Sequence, residues 1–491
     1  MPYHDLRAFM TELEKRRAMA RVSREVDRRL EIAYVAAKSS VNDGPALFFE
    51  NVKGFKTPVF IGGFGNWDNF FLAAESNKQD WSKKFLNALR SPIPSKRVDS
   101  GECKEVILKD DKVDLGLIPA LWHHEKDAGY YLSSGILIVR DPDTGIQNYS
   151  CHRAWIRDRD QFPTLLSVPT QVRQITRKYV DAGETCPAAY VVGTDPTLHI
   201  AGASKIPPTM DEMDFAGGLR GEPAEVVKCE TNDLLVPASA EMVIEGEFRP
   251  GNEDGAIGKS TYMDEGPFGE FAGYYGEMVR SPIFYVKCMT HRKDFIHYEL
   301  VAYLPGRLQP LSHGQHTAVC WNGVRLVVPE ERIIGINTPL YSSFTNIISI
   351  KKAIPGEGKR IIQAALAAQH TVTQVIVVDE DIDPYNIEQV NWAVVTRTTK
   401  DDYVFSEGPG SQLNPMSGLS HGQDVPDNNG VCSRVGIDAT IPLRGDKWGN
   451  RKTLLNPCSM PLDQVDLNKY LETSEMKKPL ASQAHLNVRR V

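Results

Sequence analysis

Two carboxylates, Glu265 and Glu270, stand five residues apart in the stretch D-E-G-P-F-G-E-F-A-G-Y, Asp264–Tyr274. Pro267 fixes one φ angle, and Gly266 and Gly269 reach backbone conformations closed to other residues. The spacing predicts a tight turn rather than a regular helix or strand, and a turn can fold both carboxylates toward one point. Two adjacent carboxylates do not both ionise cheaply. One pKa then rises, and that group can hold a proton near neutral pH. An arginine between them would keep the other anionic. The competing reading is a pair of solvated turn residues, because acids in surface turns are common.

Three further polar sets carry chemistry. In Asn148-Tyr149-Ser150-Cys151-His152-Arg153, strand alternation puts Asn148, Ser150 and His152 on one face and Arg153 on the other. The bland reading is a strand with one solvated face. Pro169-Thr170-Gln171 opens a helix, and helix N-termini offer free N–H groups to phosphate. In Met210-Asp211-Glu212-Met213-Asp214 the carboxylates suit a hard cation such as Mg²⁺ or Mn²⁺. A set of acids in the first turn of a helix reads the same way.

The surrounding chain excludes several function classes. With 56 basic and 63 acidic residues among 491, the net charge is −7 and spread out. That is no basic stripe for nucleic acid and no surface for anionic membranes. No apolar run approaches the roughly 20 residues of a membrane span. The opening M-P-Y-H-D-L-R-A-F-M reads as an amphipathic helix rather than a signal peptide, so a cytoplasmic protein is expected. The eight cysteines are widely spaced without C-x-x-C, which argues for free thiols.

The elements that must position these groups fall into three stretches. Residues 1–115 read as an α/β domain. Asp5 caps a helix with Leu6, Phe9, Met10 and Leu13 on one face. A second helix lies near Leu30–Ser40, and strands lie at Ala46–Val52 and Val59–Gly63. Helices near Trp67–Ala74 and Trp81–Leu89 follow, and Ser91–Ser100 is a linker. Residues 116–325 are rich in strands: Tyr131–Arg140 and Gln147–Ile156 as a hairpin, then Glu225–Val236, Ala240–Phe248, Ile283–Thr290 and Phe295–Leu304. Helices Gln171–Asp181 and Met210–Arg220 interrupt them. Many strands around few helices suggest a barrel-like β domain. Residues 326–491 alternate: strand Asn346–Lys352, helix Lys359–Gln369, strand Val372–Asp379 and helix Ile387–Thr396. Ser406–Asn429, rich in Gly, Pro, Asn and Ser, reads as a lid loop.

Taken together, these pieces resemble the UbiD family of prenylated-flavin-dependent reversible decarboxylases, nearly end to end. The resemblance is carried by E-G-P-F-G-E at Glu265–Glu270 and N-Y-S-C-H-R at Asn148–Arg153. It extends to K-C-E-T-N-D-L-L-V-P-A-S-A-E at Lys228–Glu241, D-E-D-I-D at Asp379–Asp383 and G-I-D-A-T at Gly436–Thr440. It implies an N-terminal α/β domain, a central split β-barrel that binds the flavin and a C-terminal α/β dimerisation domain. A hinge between the last two would close the site. It also implies that Arg153, Glu265 and Glu270 form the catalytic network. Arg153 would contact cofactor and substrate carboxylate, Glu270 would be the general acid, and Glu265 would orient Arg153. Asn148, Ser150, Cys151, His152, Arg153, Thr170, Gln171, Ser204, Lys205 and Glu212 match cofactor-binding positions. Asn148, Gln171 and Glu212 would hold Mn²⁺ or Mg²⁺ at the phosphate of prenylated FMN, with K⁺ near the turn at Lys205. Well-known members carry histidine where Gln171 stands, so this ligand is a departure. Asn148 and Arg153 must both reach the cofactor although alternation separates them; a bulge, or a cofactor wrapping the strand end, would resolve this. The His152 side chain is expected to be structural.

Phe271 and His316, with His313, would line the substrate pocket. The implied substrate is an aromatic (phenolic, heteroaromatic or polycyclic) carboxylic acid, with CO2 as the other partner. Aryl-CoA thioesters and cinnamate-like acids are the alternatives. A flavin-independent hydrolase using Glu265 and Glu270 is a further reading, and a non-catalytic flavin-binding subunit another. The resemblance also implies a homodimer or hexamer and a separate flavin prenyltransferase that supplies the cofactor.

Overall fold

The computed structural model describes residues 2–166, 170–251, 261–270, 273–301, 303–304, 309–342, 344–369, 371–409 and 431–443. Phe271 and most of the expected lid loop lie outside the described residues. Two compact units result, one built on the residues before Val319 and the other on those that follow, apart from 340–342, which go with the first.

Leu6, Phe9, Met10 and Leu13 recur at helical spacing and are buried along one face of the helix Leu6–Lys15. Asp5 starts that helix by accepting from the Ala8 N–H at 2.8 Å. The helix precedes a four-stranded sheet. Met19–Val22 runs parallel to Ala46–Phe49, which pairs antiparallel with Val59–Ile61. The fourth strand is His297–Glu299, parallel to Val59–Ile61. The pattern Phe295–Leu304 groups with the middle strands in sequence. Among the described residues of that run His297–Glu299 is strand, and it completes the N-terminal sheet, so the first and middle stretches share one unit. The expected linker also pairs: Lys96–Arg97 runs parallel to Glu225–Lys228, which forms a hairpin with Leu235–Pro237.

The larger sheet of this unit is antiparallel and has eight strands. Val279–His291 runs through it and pairs with Gln161–Pro163, Met242–Phe248, Tyr262–Glu265 and Val106–Lys109. Beyond Met242–Phe248 come Cys186–Val192, Ile136–Arg140 and Gln147–Cys151. Among the described residues the pairing does not close into a barrel, and Gln147–Cys151 ends the row. Phe162, Tyr190, Phe248 and Phe284 pack on this sheet, the rings of Phe162 and Phe284 stacked at 4.9 Å.

Two strands that read as continuous are interrupted. Tyr131–Arg140 divides into Tyr130–Leu132 and Ile136–Arg140. Between them the Ser133 N–H donates to Glu299 Oε2 at 2.8 Å, and Ser134 Oγ donates to the Tyr298 carbonyl at 2.5 Å. These bonds replace ladder bonds that the segment gives up. Gln147–Ile156 likewise divides into Gln147–Cys151 and Ala154–Ile156. Helices Gln171–Asp181 and Glu212–Arg220 stand where their periodicity predicts, the second shortened by its cap, Asp211, which accepts from the Met213 N–H.

The second unit holds a five-stranded mixed sheet, in the order Ile333–Asn337, Thr345–Ile350, Gln374–Asp379, Val431–Asp438, Tyr403–Pro409. The three central strands are parallel. Strands flanked on both sides and covered on both faces read as continuous apolar runs, and Val375, Ile376, Val377 and Val378 are all buried. Helix Glu357–Ala368 lays Ile361, Ile362, Ala365 and Leu366 on the sheet. It comes so close over Gly436 that a Cβ there would lie 2.1 Å from Ile362 Cγ2. Gly436→Ala is therefore expected to cost about 1–3 kcal/mol. Denaturant unfolding should show a lower midpoint at unchanged slope, and an unchanged midpoint would contradict this packing.

Candidate active site

The break after Cys151 is what brings Arg153 inward. The His152 N–H donates to the Gly135 carbonyl at 2.9 Å. The Tyr190 hydroxyl lies 3.0 Å from the His152 carbonyl and 3.1 Å from that of Arg153. Both carbonyls are thus met by one phenol instead of a neighbouring strand. Gly135 is needed beside it, since a Cβ there would lie 2.4 Å from the Tyr190 ring. The ladder ends at Cys151, so alternation no longer governs where Arg153 points. The conflict between Asn148 and Arg153 disappears for that reason.

The acidic stretch is more regular than a turn. Glu265 ends the strand Tyr262–Glu265, and Phe268–Gly269 pairs antiparallel with Tyr275–Gly276. Only Gly266 and Pro267 form the bend between them. Gly266 has φ +90°, and a Cβ there would lie 2.7 Å from the Glu277 carbonyl, so no other residue fits without movement. Glu270 follows, its N–H donating to the Tyr274 carbonyl at 2.8 Å.

The strand break and the bend meet at one guanidinium. Arg153 Nε and Nη2 donate to the two oxygens of Glu265 at 2.8 and 2.7 Å, and Nη1 donates to Glu270 Oε1. The Glu265 side chain is fully buried, while Arg153 is 10% and Glu270 15% exposed. The guanidinium also lies 4.9 Å over the Phe268 ring. Burial works against the charge on Arg153, but Glu270 and then Glu265 outweigh it, and its pKa is raised above the ordinary arginine value. The cation is therefore permanent. Losing one partner of such a buried set costs about 3–5 kcal/mol, because a charge is left uncompensated.

A second polar cluster lies at the other end of the same strand. Asn148 Nδ2 donates to Gln171 Oε1 and to Glu212 Oε1, both at 2.9 Å. Glu212 Oε2 accepts from the Tyr149 N–H at 2.9 Å. Residues far apart in sequence, one from a strand and two from helix starts, thus converge at hydrogen-bond distance. Burial pushes Glu212 up to about 8 and Asp211 up to about 7. Hydrogen bonds from neutral donors oppose this only in part. Among the described residues no basic side chain bonds Glu212, and Arg140 offsets the burial of Asp211 only in part.

The remaining predicted residues are placed as follows. Ser150 Oγ lies 3.3 Å from Asn148 Oδ1 and 3.1 Å from His152 Nε2. His152 Nδ1 donates to the Leu165 carbonyl at 3.0 Å, and burial pushes its pKa down to about 4, so the ring is neutral. Cys151 sits 3.8 Å from His199 Nε2, and burial pushes the thiol up to about 12. Thr170 takes the N-cap position of Gln171–Asp181. Ser204 ends helix Pro196–Ala203 and donates to the Ile200 carbonyl. The Lys205 N–H donates to Gln315 Oε1 at 2.7 Å, and burial brings its amine down to about 8. His316 is buried on helix Pro310–Val324, its ring 6.4 Å from that of His313.

Sequence reasoning passed over the stretch His123–Tyr130 and gave Tyr131 only as the start of a strand. Tyr131 packs on Phe268 with ring centroids 4.4 Å apart, and the Ala128 N–H donates to the Pro267 carbonyl at 2.8 Å. The run H-H-E-K-D-A-G-Y-Y is unusually rich in chemistry-bearing side chains. That was the available signal, but no spacing rule connects it to residues 140 positions away.

Among the described residues no helix is long and apolar enough to cross a membrane. Residues 10–89, 96–305 and 314–439 match the N-terminal, Rift-related and C-terminal domains of the UbiD family, described as 3-octaprenyl-4-hydroxybenzoate carboxy-lyase. The structure of the UbiD-class enzyme HmfF from Pelotomaculum thermopropionicum in complex with FMN is 32% identical, with a TM-score of 0.83 over 95% of this chain and 100% of that one. An evolved dimeric form of HmfF in complex with prFMN gives 0.81 at the same identity and coverage. Vanillic acid decarboxylase from Sedimentibacter hydroxybenzoicus, in its open form, is 26% identical, with a TM-score of 0.79 over 96% of this chain and 97% of that one. Matched in all three domains from residue 10 to residue 439, the chain is an enzyme of the UbiD family of carboxy-lyases.

Proposed function

We propose that the chain is a prenylated-FMN-dependent, non-oxidative, reversible decarboxylase of an aromatic carboxylic acid, with Glu270 as proton donor. The observation that carries this reading is the single guanidinium shared by Glu265 and Glu270. Glu265 spends both oxygens on Arg153 and is fully buried, so it orients. Glu270 gives Arg153 one oxygen and is the most exposed of the three. It is the group able to exchange a proton with a substrate carbon and with solvent. Arg153 suits the substrate carboxylate by geometry and charge. As the carbon–carbon bond breaks and CO2 leaves, the proton of Glu270 takes its place; in carboxylation Glu270 accepts that proton. Prenylated FMN, when bound, supplies the sink for the electrons left by CO2.

The prFMN complex of HmfF supports this cofactor, and vanillic acid, the substrate named for the Sedimentibacter enzyme, supports the aromatic class. Aryl-CoA thioesters and α,β-unsaturated acids are alternative substrates in the same chemistry. A hydrolase working with Glu265 and Glu270 gains no support, because one arginine holds both acids.

Asn148, Gln171 and Glu212 fit a divalent cation at the flavin phosphate. The Asn148 amide donates between two oxygens where a cation would attract the same pair, and among the described residues Glu212 has no basic partner. Their oxygens suit Mn²⁺ or Mg²⁺. The first turn of Gln171–Asp181 offers N–H groups to the phosphate. By the family resemblance, potassium would sit near the turn at Lys205. The homodimer is assigned to the second unit, where Trp392 (46%), Val395 (80%) and Phe405 (76%) are exposed on helix Ile387–Arg397 and edge strand Tyr403–Pro409. Exposed apolar groups on an edge strand invite a second copy. A separate prenyltransferase supplies the cofactor.

Glu270→Gln is expected to abolish turnover and retain cofactor, and Asn148→Ala to lose cofactor. Activity assays and flavin absorbance check these outcomes, and full activity in the first variant or normal flavin in the second would contradict them. The metal site has its own test. Burial raises Glu212 from 4.5 to about 8, so the folded state resists its ionisation. Its contribution to stability is intact below the unfolded pKa and is lost as pH rises through about 8. Metal-free protein should therefore show a falling Tm across that window. Saturating Mn²⁺ should restore it, and Glu212→Gln should remove the response. No effect of Mn²⁺ at pH 8 would contradict the site.

A further inference from the structure

We infer that Asp127 and His124 are positioning residues that hold the backbone carrying Glu270, so that proton delivery depends on a carboxylate that touches neither substrate nor cofactor. The inference rests on the proton-donor reading of Glu270.

The two arms of Asp127 reach different segments. Its side chain is fully buried. Oδ1 accepts from the Gly269 N–H at 3.1 Å, directly before Glu270, and Oδ2 accepts from the His124 N–H at 2.7 Å. One buried carboxylate thus ties the acidic hairpin to the loop at 124. A charge-assisted bond to a backbone N–H is stronger than a neutral one.

His124 completes the clamp. Its Nε2 lies 2.8 Å from the Tyr303 carbonyl, and its Nδ1 lies 3.4 Å from Asp127 Oδ2, an ion-pair distance when the ring is charged. Burial works against that charge, but Asp127 and the Tyr303 carbonyl outweigh it, and the pKa is raised. The ring stands edge-on to Phe268 and Tyr275, with centroids 6.0 Å away in each case. It lies so close to Gly269 that a Cβ there would meet its Cε1 at 2.3 Å. Gly269 is therefore glycine because His124 occupies the space. The Ala128 N–H on the Pro267 carbonyl and the Lys126 N–H on the Tyr275 hydroxyl at 3.1 Å add two more ties from the same loop.

Arg153 fixes the carboxylate end of Glu270, and this loop fixes its backbone end. With both ends set, the donor oxygen has little freedom. Releasing the backbone leaves the ion pair and the substrate contact of Arg153 in place and shifts only where the proton is offered. Displacements of about 1 Å can cost about a hundredfold in rate.

The experiment uses the full chain loaded with cofactor, as wild type, Asp127→Asn and Asp127→Ala. Amide exchange over residues 261–270 is read beside Tm, flavin content, kcat, KM and the solvent deuterium isotope effect. The expected result for Asp127→Asn is faster exchange confined to that stretch and the His124 amide, with a small fall in Tm and with flavin content and KM close to wild type. Its kcat should fall about ten- to a hundredfold, and the isotope effect on kcat should rise as proton delivery becomes slower. Unchanged local exchange would overturn the inference, as would a joint loss of Tm, flavin and activity in both variants. An inactive wild type would sink the proton-donor reading instead, and the exchange data would still decide whether Asp127 holds the hairpin.

Discussion

A permanently charged guanidinium, nearly withdrawn from water and shared by two carboxylates, is the constraint on which the rest of the first unit depends. A buried arginine is tolerable only if its donors are met, and here Glu265 meets two and Glu270 a third. The surrounding residues read as consequences. Tyr190 satisfies the carbonyls exposed by the strand break, Gly135 makes room for its ring, and Gly266 permits the bend that returns Glu270 to the same cation. Phe268 and Tyr131 cover the guanidinium with aromatic surface.

The strand Gln147–Cys151 joins two chemistries. Asn148, within the ladder, faces the cluster of Gln171 and Glu212, whereas Arg153, beyond the ladder's end, reaches the two acids. Among the described residues no basic side chain bonds Glu212 in the first cluster, and the second holds a cation between anions. A cofactor with a phosphate at one end and a reactive ring at the other needs such a division. Among the described residues the strand ends its sheet, and on its outer side the Tyr149 N–H is met by Glu212.

Much of this was legible beforehand because it rests on local rules. Helix Gln171–Asp181 and the apolar strand near Val372–Asp379 follow from periodicity and composition. The acids Glu265 and Glu270 were marked by their spacing around glycine and proline. Where reading failed, long-range pairing had overridden the local pattern. The apolar run Tyr131–Arg140 gave no sign that Ser133 would leave its ladder for Glu299, and Gln147–Ile156 gave none that Tyr190 would stand in for a neighbouring strand. His297–Glu299 looked like a middle strand and instead completes the N-terminal sheet. The proline and glycines near Glu265 suggested a turn alone, yet strand pairing claims residues on either side of the bend. Asp127 was invisible because its importance lies in one backbone N–H at Gly269, and no motif records such a bond.

The most direct test of the account is the mass and absorption spectrum of the cofactor released from this protein after co-expression with a flavin prenyltransferase. The same preparation would then be offered aromatic acids with labelled bicarbonate. Prenylated FMN near one per chain, with label entering the carboxyl group of an aromatic acid, is the predicted result. Protein that folds but carries no flavin, or that carries prenylated FMN and exchanges no label into any aromatic, aryl-CoA or unsaturated acid, would contradict the assignment of Arg153, Glu265 and Glu270.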